Sequence, residues 1–561
     1  MDVSEMQQRL SVTAAQDPAH QFEDLYSLLC HAVWLRVAHH SVNTNQGRDT
    51  AGVDGESMSH FNGNLEGNLE ELRQLLQAKT FEPMPVRRQH VPKPHGGVRP
   101  LGIPTIRDRI VQEGLRMILE PIWEADFSVH SYGFRPNRST YDAIAYIGNR
   151  LTGHGSMYQW VIEGDIKSYF DEIPHRRFMK AVKRRVADRD IRDLLWKFLR
   201  AGVMAKGERQ ETLTGTPQGG IVSPLAANIY LDQLDTYMES KYLKLSEYER
   251  RKRRKQGKGN VLYVRYADDF IALCSGTRAE ALAIKEELKT LLDTMGLTLS
   301  EDKTKLTHIT EGFIFLGYKV IREVGTNGRM VPKVLIPDSA ITRYRHKVRR
   351  MLAPNTYKES VKAKISALNR VTNGWCQYYR VTSYPSIVFH KRGYEIFWDM
   401  AHWLGRKWEL RMPAVMRKYY DQEGHTFKDG SSVLVLPTAH KAKRLLTKPW
   451  HNPYTAKEAI VREKLIVLES LWSGNEHRPG EMDVREETIA RKGTICAING
   501  PDCESKGLPL PHGEAVLDHI ILRARFKNPK DADRPGNVQI VCTNCHRAKT
   551  KNDLKVLSRM R

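Results

Sequence analysis

The chain has 561 residues and a formal net charge of +23 at pH 7. That length exceeds what one hydrophobic core serves, so about three to five domains are expected. With 40 % hydrophobic and 27 % charged residues, the composition is that of a globular chain and argues against a disordered or fibrous one. No apolar run is long enough to span a bilayer. The opening MDVSEMQQRL lacks a basic segment followed by an apolar stretch, so no secretory signal is expected and the cytosol is the expected compartment. So large a cationic excess favours a polyanionic partner, most often nucleic acid. A membrane surface is disfavoured, because no basic amphipathic helix stands apart.

Residues 1 to about 80 read as helical, interrupted by an Asn/Gly-rich stretch at Asn43–Gly55. Val86–Pro104 (VRRQHVPKPHGGVRPLGIP) turns to short extended runs broken by Pro and Gly. Helical periodicity returns over Asp108–Glu120 and Thr140–Leu151. Trp160–Ile162 begins a short strand that ends at Glu163-Gly164-Asp165, and Pro174–Arg200 is amphipathic and helical. Arg250–Lys258 (RRKRRKQGK) reads as a basic loop, either solvated or gripping phosphates. Val261–Cys274 has two apolar runs around Ala267-Asp268-Asp269, the pattern of a β-hairpin. Ala279–Met295 is helical, Ser339 to about Tyr420 is helical, basic and aromatic, and Gly474–Gly493 is a polar linker.

Two carboxylate-bearing segments stand out. Asp165 ends a strand, and Asp268 and Asp269 occupy a hairpin turn. Carboxylates at a strand end and at an adjacent turn can meet across a sheet and hold divalent ions, which prefer hard oxygen ligands. An Ala-Asp-Asp tripeptide by itself is most often a solvated turn. Of the seven cysteines, Cys30, Cys274 and Cys376 are scattered and read as small core residues. Cys496, Cys503, Cys542 and Cys545 cluster near the C-terminus and read as metal ligands before disulfides. Four thiolates suit a closed structural Zn²⁺ site. The six residues between Cys496 and Cys503 are more than the usual two, so closing the site requires a turn at Asn499-Gly500-Pro501.

The ordered set of motifs resembles group II intron-encoded reverse transcriptases, or maturases. GRDTAGVDG (47–55) is similar to their N-terminal extension. VPKPHGGVRPLGIPTIRDRIVQ (91–112) and SYGFRPNRSTYDAI (131–144) are similar to the finger blocks. IEGDIKSYFDEIPH (162–175), GTPQGGIVSPLAANIYLDQLD (215–235), YVRYADDF (263–270), LTLSEDKTKL (297–306) and FIFLGYKV (313–320) are similar to the palm blocks. Asn373–Tyr379 resembles the thumb, or maturase, signature. Asp518-His519, Asn537 and His546 resemble an HNH nuclease.

The resemblance implies an α+β multidomain chain. Residues 1–85 would be the N-terminal extension and start of the fingers, 86–330 the right-hand fingers and palm, and 331–445 a helical thumb (maturase) domain. Residues 446–485 would be a small DNA-binding region and linker, and 486–561 a ββα-metal HNH domain. It implies two Mg²⁺ ions on Asp165 and Asp268, with Asp269 as a third, weaker ligand. Lys93 and Arg99 would grip the incoming dNTP, although a surface basic loop would look the same. Phe170 would exclude a 2′-hydroxyl, unless it is a core aromatic. Gln218 and Gly219 would approach the template–primer. Lys303 would be a proton donor to pyrophosphate or simply a solvent-exposed lysine.

Arg343, Lys347 and Arg350, on one helical face, would contact RNA, with Trp375, Tyr378 and Tyr379 forming mostly core. In the HNH motif His519 would be the general base, with Asp518, Asn537 and His546 around one divalent ion; a zinc ribbon without cutting is the alternative. The implied partners are intron RNA, a double-stranded DNA target and dNTPs. The implied activities are RNA-directed DNA synthesis, assistance to splicing, and nicking of one DNA strand to prime reverse transcription.

Overall fold

The computed structural model describes residues 2–92, 97–152, 158–205, 208–210, 214–216, 219–325, 328–447 and 450–455, and, nearer the C-terminus, 496–498, 503, 516–519, 537–542, 544–546 and 548–549. Lys93, Gln218, the polar stretch 474–493 and the turn 499–501 lie outside the described residues. The chain divides into two compact units, Met1–Trp450 and His451–Arg561. Among the described residues, no helix is long and apolar enough to cross a membrane.

The first unit opens with helices Val3–Gln16 and Ala32–Asn43, which pack on the helix Ile106–Asp126. That helix is buried nearly all round, and even its Arg109, Gln112 and Glu113 are at most 8 % exposed. Arg109 is tolerated there because it donates to the backbone carbonyls of Pro104, Gly47 and Thr50, and so ties Gly47–Thr50 to the core.

The strands in chain order are β1 (Val86–Pro92), β2 (Val98–Ile103), β3 (Trp160–Asp165), β4 (Val203–Ala205), β5 (Glu208–Gln210), β6 (Val261–Tyr266), β7 (Asp269–Cys274) and β8 (Lys305–His308). They form two four-stranded sheets. One is ordered β2-β1-β4-β5 and the other β6-β7-β3-β8. In the second sheet β7 lies between β6 and β3, antiparallel to both. β6 and β7 are apolar on both faces and almost wholly buried, as a sheet covered on both sides demands. The helices Ser223–Met238 and Arg278–Met295 contribute to the same core.

Strands Phe313–Phe315, Tyr318–Val324 and Met330–Leu335 form a third sheet. Helices Asp338–Met351, Val361–Tyr379, Pro385–Trp408 and Met412–Tyr419 follow, over the residues where the resemblance implies a thumb. The expected core role of the thumb aromatics is what the fold contains. Trp375 stacks on Tyr344 at 4.3 Å between ring centroids. The Tyr378 and Tyr379 hydroxyls donate to the carbonyls of Leu316 and Gly317, which joins the thumb to the third sheet.

The basic run at 250–258 departs from the sequence reading. It is a helix, Glu247–Lys255, not a loop. The Ser246 hydroxyl and the Glu249 carboxylate form a reciprocal capping box, and four cations fall in the last turn, where the helix dipole favours them.

Candidate active site

The antiparallel register of β3 and β7 places Asp165 directly opposite Asp269. Asp268 precedes Asp269 in the two-residue turn that joins β6 to β7. Ala267, the first residue of that turn, has φ 58°, a left-handed conformation that costs a residue with a Cβ about 1–2 kcal/mol. A Cβ on Gly133 would collide with the backbone nitrogen of Ala267, so the Tyr132-Gly133-Phe134 segment presses flat against the turn. The backbone of Arg265 is tied to the same segment, receiving from Tyr132 N and donating to His130 O at 2.9 Å each.

Three carboxylates therefore crowd one end of the sheet. Burial raises the Asp268 carboxyl above its ordinary value, and the charge of Asp165 raises it further, while Lys303 and Arg99 oppose both. Asp269 is open to solvent on one side but otherwise enclosed. Burial first, and then the charges of Asp268 and Asp165, push it up to about 7. Such a set is a poor resting place for three anions and a suitable one for a hard divalent cation, whose charge would relieve the repulsion.

Lys303 Nζ sits 2.8 Å from Asp165 Oδ2 and supplies one counter-charge, and that ion pair holds its ammonium above the ordinary lysine range. Lys303 is exposed, as the plainer sequence reading held, yet it points at the carboxylates. Arg99 is exposed on β2, close enough for its charge to act on Asp268.

After Asp165 the chain passes through Ser168 at φ 44° into the short helix Tyr169–Glu172. Tyr169 takes the core position at 2 % exposure, its hydroxyl donating to Ala227 O at 2.5 Å. Phe170 is thereby left half-buried, edge-on to the exposed Phe134 at 6.2 Å. Gly219 has φ 116°, and a Cβ there would collide with the Gly102 carbonyl of β2. The close approach this glycine permits is thus made to the fingers' own backbone.

In the thumb, Arg343 and Lys347 line a groove of about 690 Å³ between helices Asp338–Met351 and Val361–Tyr379, together with Tyr344, Arg370 and Trp375. Arg350, on the same helix, is exposed but is not among the residues that line this groove. Arg370 escaped the sequence reading. So did Asp235, Asn228 and Arg265, which lie beneath the turn. The available signal was a lone arginine inside the apolar strand LYVRY, which requires a buried acceptor.

In the second unit, strands Val516–His519 and Val538–Val541 pair antiparallel, with Asp518 opposite Gln539, and residues 544–546 and 548–549 are helical. Asp518 is buried, accepts from Gln539 Nε2 at 2.8 Å, and lies 3.8 Å from His546 Nε2. Asn537 is buried immediately before the second strand. His519 is placed by its backbone, while its side chain lies outside the described residues. The sulfurs of Cys496, Cys503, Cys542 and Cys545 are buried and all lie within 4.8 Å of one another, so the wide first gap does close. Cys503 and Cys542 are 3.8 Å apart, far beyond a disulfide bond. That separation fits a tetrahedron with metal–sulfur bonds of about 2.3 Å, whose edge is about 3.8 Å.

Comparison with known proteins fits this architecture. Residues 91–320 match the family "Reverse transcriptase (RNA-dependent DNA polymerase)", and residues 341–420 match the "Group II intron, maturase-specific domain". The chain is similar to protein YkfC of Escherichia coli (strain K12), 41 % identical over 355 residues, which cover 60 % of this chain and 93 % of YkfC. It is also similar to the group II intron-encoded protein LtrA of Lactococcus lactis subsp. cremoris, 33 % identical over 57 % of this chain and 60 % of LtrA. The putative COX1/OXI3 intron 1 protein of Saccharomyces cerevisiae is 31 % identical over 63 % of this chain and 45 % of its own length. The chain thus spans less than two thirds of LtrA and of the yeast protein. A palm with opposed carboxylates, a maturase-specific thumb in the same order, and near-complete coverage of a relative at 41 % identity establish that this chain belongs to the family of group II intron reverse transcriptases and maturases.

Proposed function

We propose that the palm cluster copies RNA into DNA and that the thumb binds the intron RNA whose splicing the protein assists. The observation that carries this reading is the meeting of Asp165 and Asp269 across β3 and β7, with Asp268 at the turn and Lys303 paired to Asp165 at 2.8 Å. Two Mg²⁺ ions held by Asp165 and Asp268, with Asp269 in support, would lower the pKa of an attacking 3′-hydroxyl and neutralise the leaving pyrophosphate. Arg99 and Lys93 bind the incoming triphosphate. Gln218 and Gly219 border the template–primer. Lys303, paired with Asp165, would be a proton donor to the pyrophosphate. Arg343 and Lys347 in the thumb groove, and Arg350 beside it, bind RNA phosphates.

Phe170 stands where a bulky ring blocks a 2′-hydroxyl. Replacing it with valine is expected to raise the kcat/KM ratio for ribo- over deoxyribonucleotides about 10–100-fold. If Phe170 only packs, both nucleotides will suffer alike and Tm will fall.

We further propose that the second unit is an HNH endonuclease. It would nick the DNA strand opposite the one into which the intron RNA inserts, and the new 3′-hydroxyl would prime cDNA synthesis. The approach of Asp518 to His546 beside a paired-strand-and-helix motif favours this over a zinc ribbon without cutting. Asp518, Asn537 and His546 would hold one divalent ion, and His519 would deprotonate water. The four cysteines would hold a structural Zn²⁺. In a strand-nicking assay with the intron ribonucleoprotein, His519→Ala is expected to abolish cutting and leave primer extension intact. Loss of both activities would contradict separate centres.

A further inference from the structure

The guanidinium of Arg265 is fully buried beneath the catalytic turn, and four hydrogen bonds radiate from it. Nε and Nη2 donate to the two carboxylate oxygens of Asp235 at 2.8 and 2.5 Å. Nη1 donates to Asn228 Oδ1 and to the carbonyl of Ala267, both at 2.9 Å. Asn228 in turn donates through Nδ2 to the Gly133 carbonyl at 2.8 Å. Asp235 also accepts from the Tyr263 hydroxyl at 3.0 Å. Arg265 and Asp235 have no exposed side-chain surface, and Asn228 is 1 % exposed.

Stability is a weak reason for this arrangement. An ion pair with both partners removed from water roughly cancels its own attraction in desolvation, and a well-packed apolar pair often does as well or better. What the guanidinium offers is its shape. It is a planar fork of five donors, and here one edge is committed to Asp235 while Nη1 reaches the turn. A lysine at the same place could keep the charge but could not span both.

The residue whose carbonyl receives Nη1 is Ala267, the left-handed residue immediately before Asp268. From the other side Gly133 presses on the same residue, and Gly133 is itself held by Asn228. The turn is therefore gripped between the Tyr132-Gly133-Phe134 segment and the helix Ser223–Met238, with Arg265 as the bridge.

We propose that Arg265 is a positioning residue for the polymerase centre. Asp235 and Asn228 orient its guanidinium, and the guanidinium fixes Ala267 so that Asp268 and Asp269 face Asp165. This rests on the reading of the palm as a nucleotidyl-transfer centre. It adds that the aim of the carboxylates is set by a buried polar clamp contributed by β6 and a helix from the block before it in sequence.

The test uses the full-length protein and the variants Arg265→Lys and Asn228→Ala. Three quantities are measured: primer extension on an RNA template, amide hydrogen exchange in the peptide spanning the turn, and Tm. Misplacing a catalytic group by about 1 Å costs on the order of 10²-fold in rate. Arg265→Lys is therefore expected to lower kcat about 100-fold, and Asn228→Ala about tenfold. In both variants KM for dNTP stays within about twofold, the Mg²⁺ requirement rises, and the amides of the turn exchange faster. If Arg265→Lys does not fold, Asn228→Ala decides, because it removes only the neutral bridge. A lower Tm with wild-type kcat and wild-type exchange at the turn would overturn the proposal and leave a purely structural pair. Should the wild-type protein extend no primer at all, the polymerase reading fails first. Exchange at the turn then still decides whether the clamp holds it.

Discussion

Asp268→Asn is expected to slow RNA-templated primer extension at least about 10³-fold, a loss of about 4 kcal/mol of transition-state stabilisation, without lowering Tm. The two halves of this result have one cause. Asp268 sits in a turn aimed at Asp165, so its carboxylate is a ligand that an amide replaces poorly, since the amide brings no negative charge to the cation. In the absence of metal the same carboxylate is a burden. Burial and Asp165 raise its pKa, and its charge helps to push Asp269 up to about 7.

A carboxyl whose folded pKa lies above its unfolded value, which is near 4 for aspartate, holds more protons in the native state. Its contribution to stability then falls as pH rises from about 4 toward 7. Asn removes that penalty, so thermal unfolding in EDTA at pH 7.5 should give a Tm equal to or above wild type. The wild-type protein should gain Tm on lowering the pH from 7.5 toward 6, as Asp269 takes up its proton, and the variant should gain less. Loss of activity together with a lower Tm would mean that Asp268 supports the fold, and equal activity would remove it from the centre.

The second large effect concerns the four cysteines. Purified wild-type protein is expected to carry one zinc per chain, and Cys542→Ser to carry almost none, as measured by mass spectrometric metal analysis. Cys542 is buried and central to the cluster. Its backbone N–H donates to Cys496 Sγ at 3.4 Å, its own sulfur accepts from Cys545 N at 3.4 Å, and it lies 3.8 Å from Cys503 Sγ. Free energy of binding at a structural zinc site, about 10–16 kcal/mol, is also folding free energy. Losing one thiolate should therefore make the segment after residue 485 sensitive to protease while the first unit still extends primers. Full zinc content in the variant would show that the sulfurs converge for packing alone.

Much of the centre is legible in the sequence because its key elements are local. The two apolar runs flanking Ala267-Asp268-Asp269 mark a hairpin, and the strand before Asp165 ends where its apolar run ends, so both carboxylates are visible as carboxylates at strand ends. Their register is long-range information, because β7 pairs with β6 across a two-residue turn but with β3 across about a hundred residues of chain. The Arg265 clamp is harder still. Its partners Asp235 and Asn228 are 30 and 37 residues away on the helix Ser223–Met238.

The basic helix Glu247–Lys255 is hidden for a different reason. The run of like charges pointed to a loop, whereas Ser246 and Glu249 carry the spacing of a capping box, and that local signal prevails. For Gly219 the resemblance implies approach to the template–primer, while its contact with Gly102 of β2 is visible only in the fold.

The most direct test of the polymerase assignment is extension of a DNA primer on an RNA template by the purified wild-type chain with dNTPs and Mg²⁺, with the product sequenced. The expected product is DNA complementary to the template, made only while the divalent ion is free and abolished by EDTA. A folded protein that adds no nucleotide to the primer, or one that adds nucleotides equally well in EDTA, would contradict it.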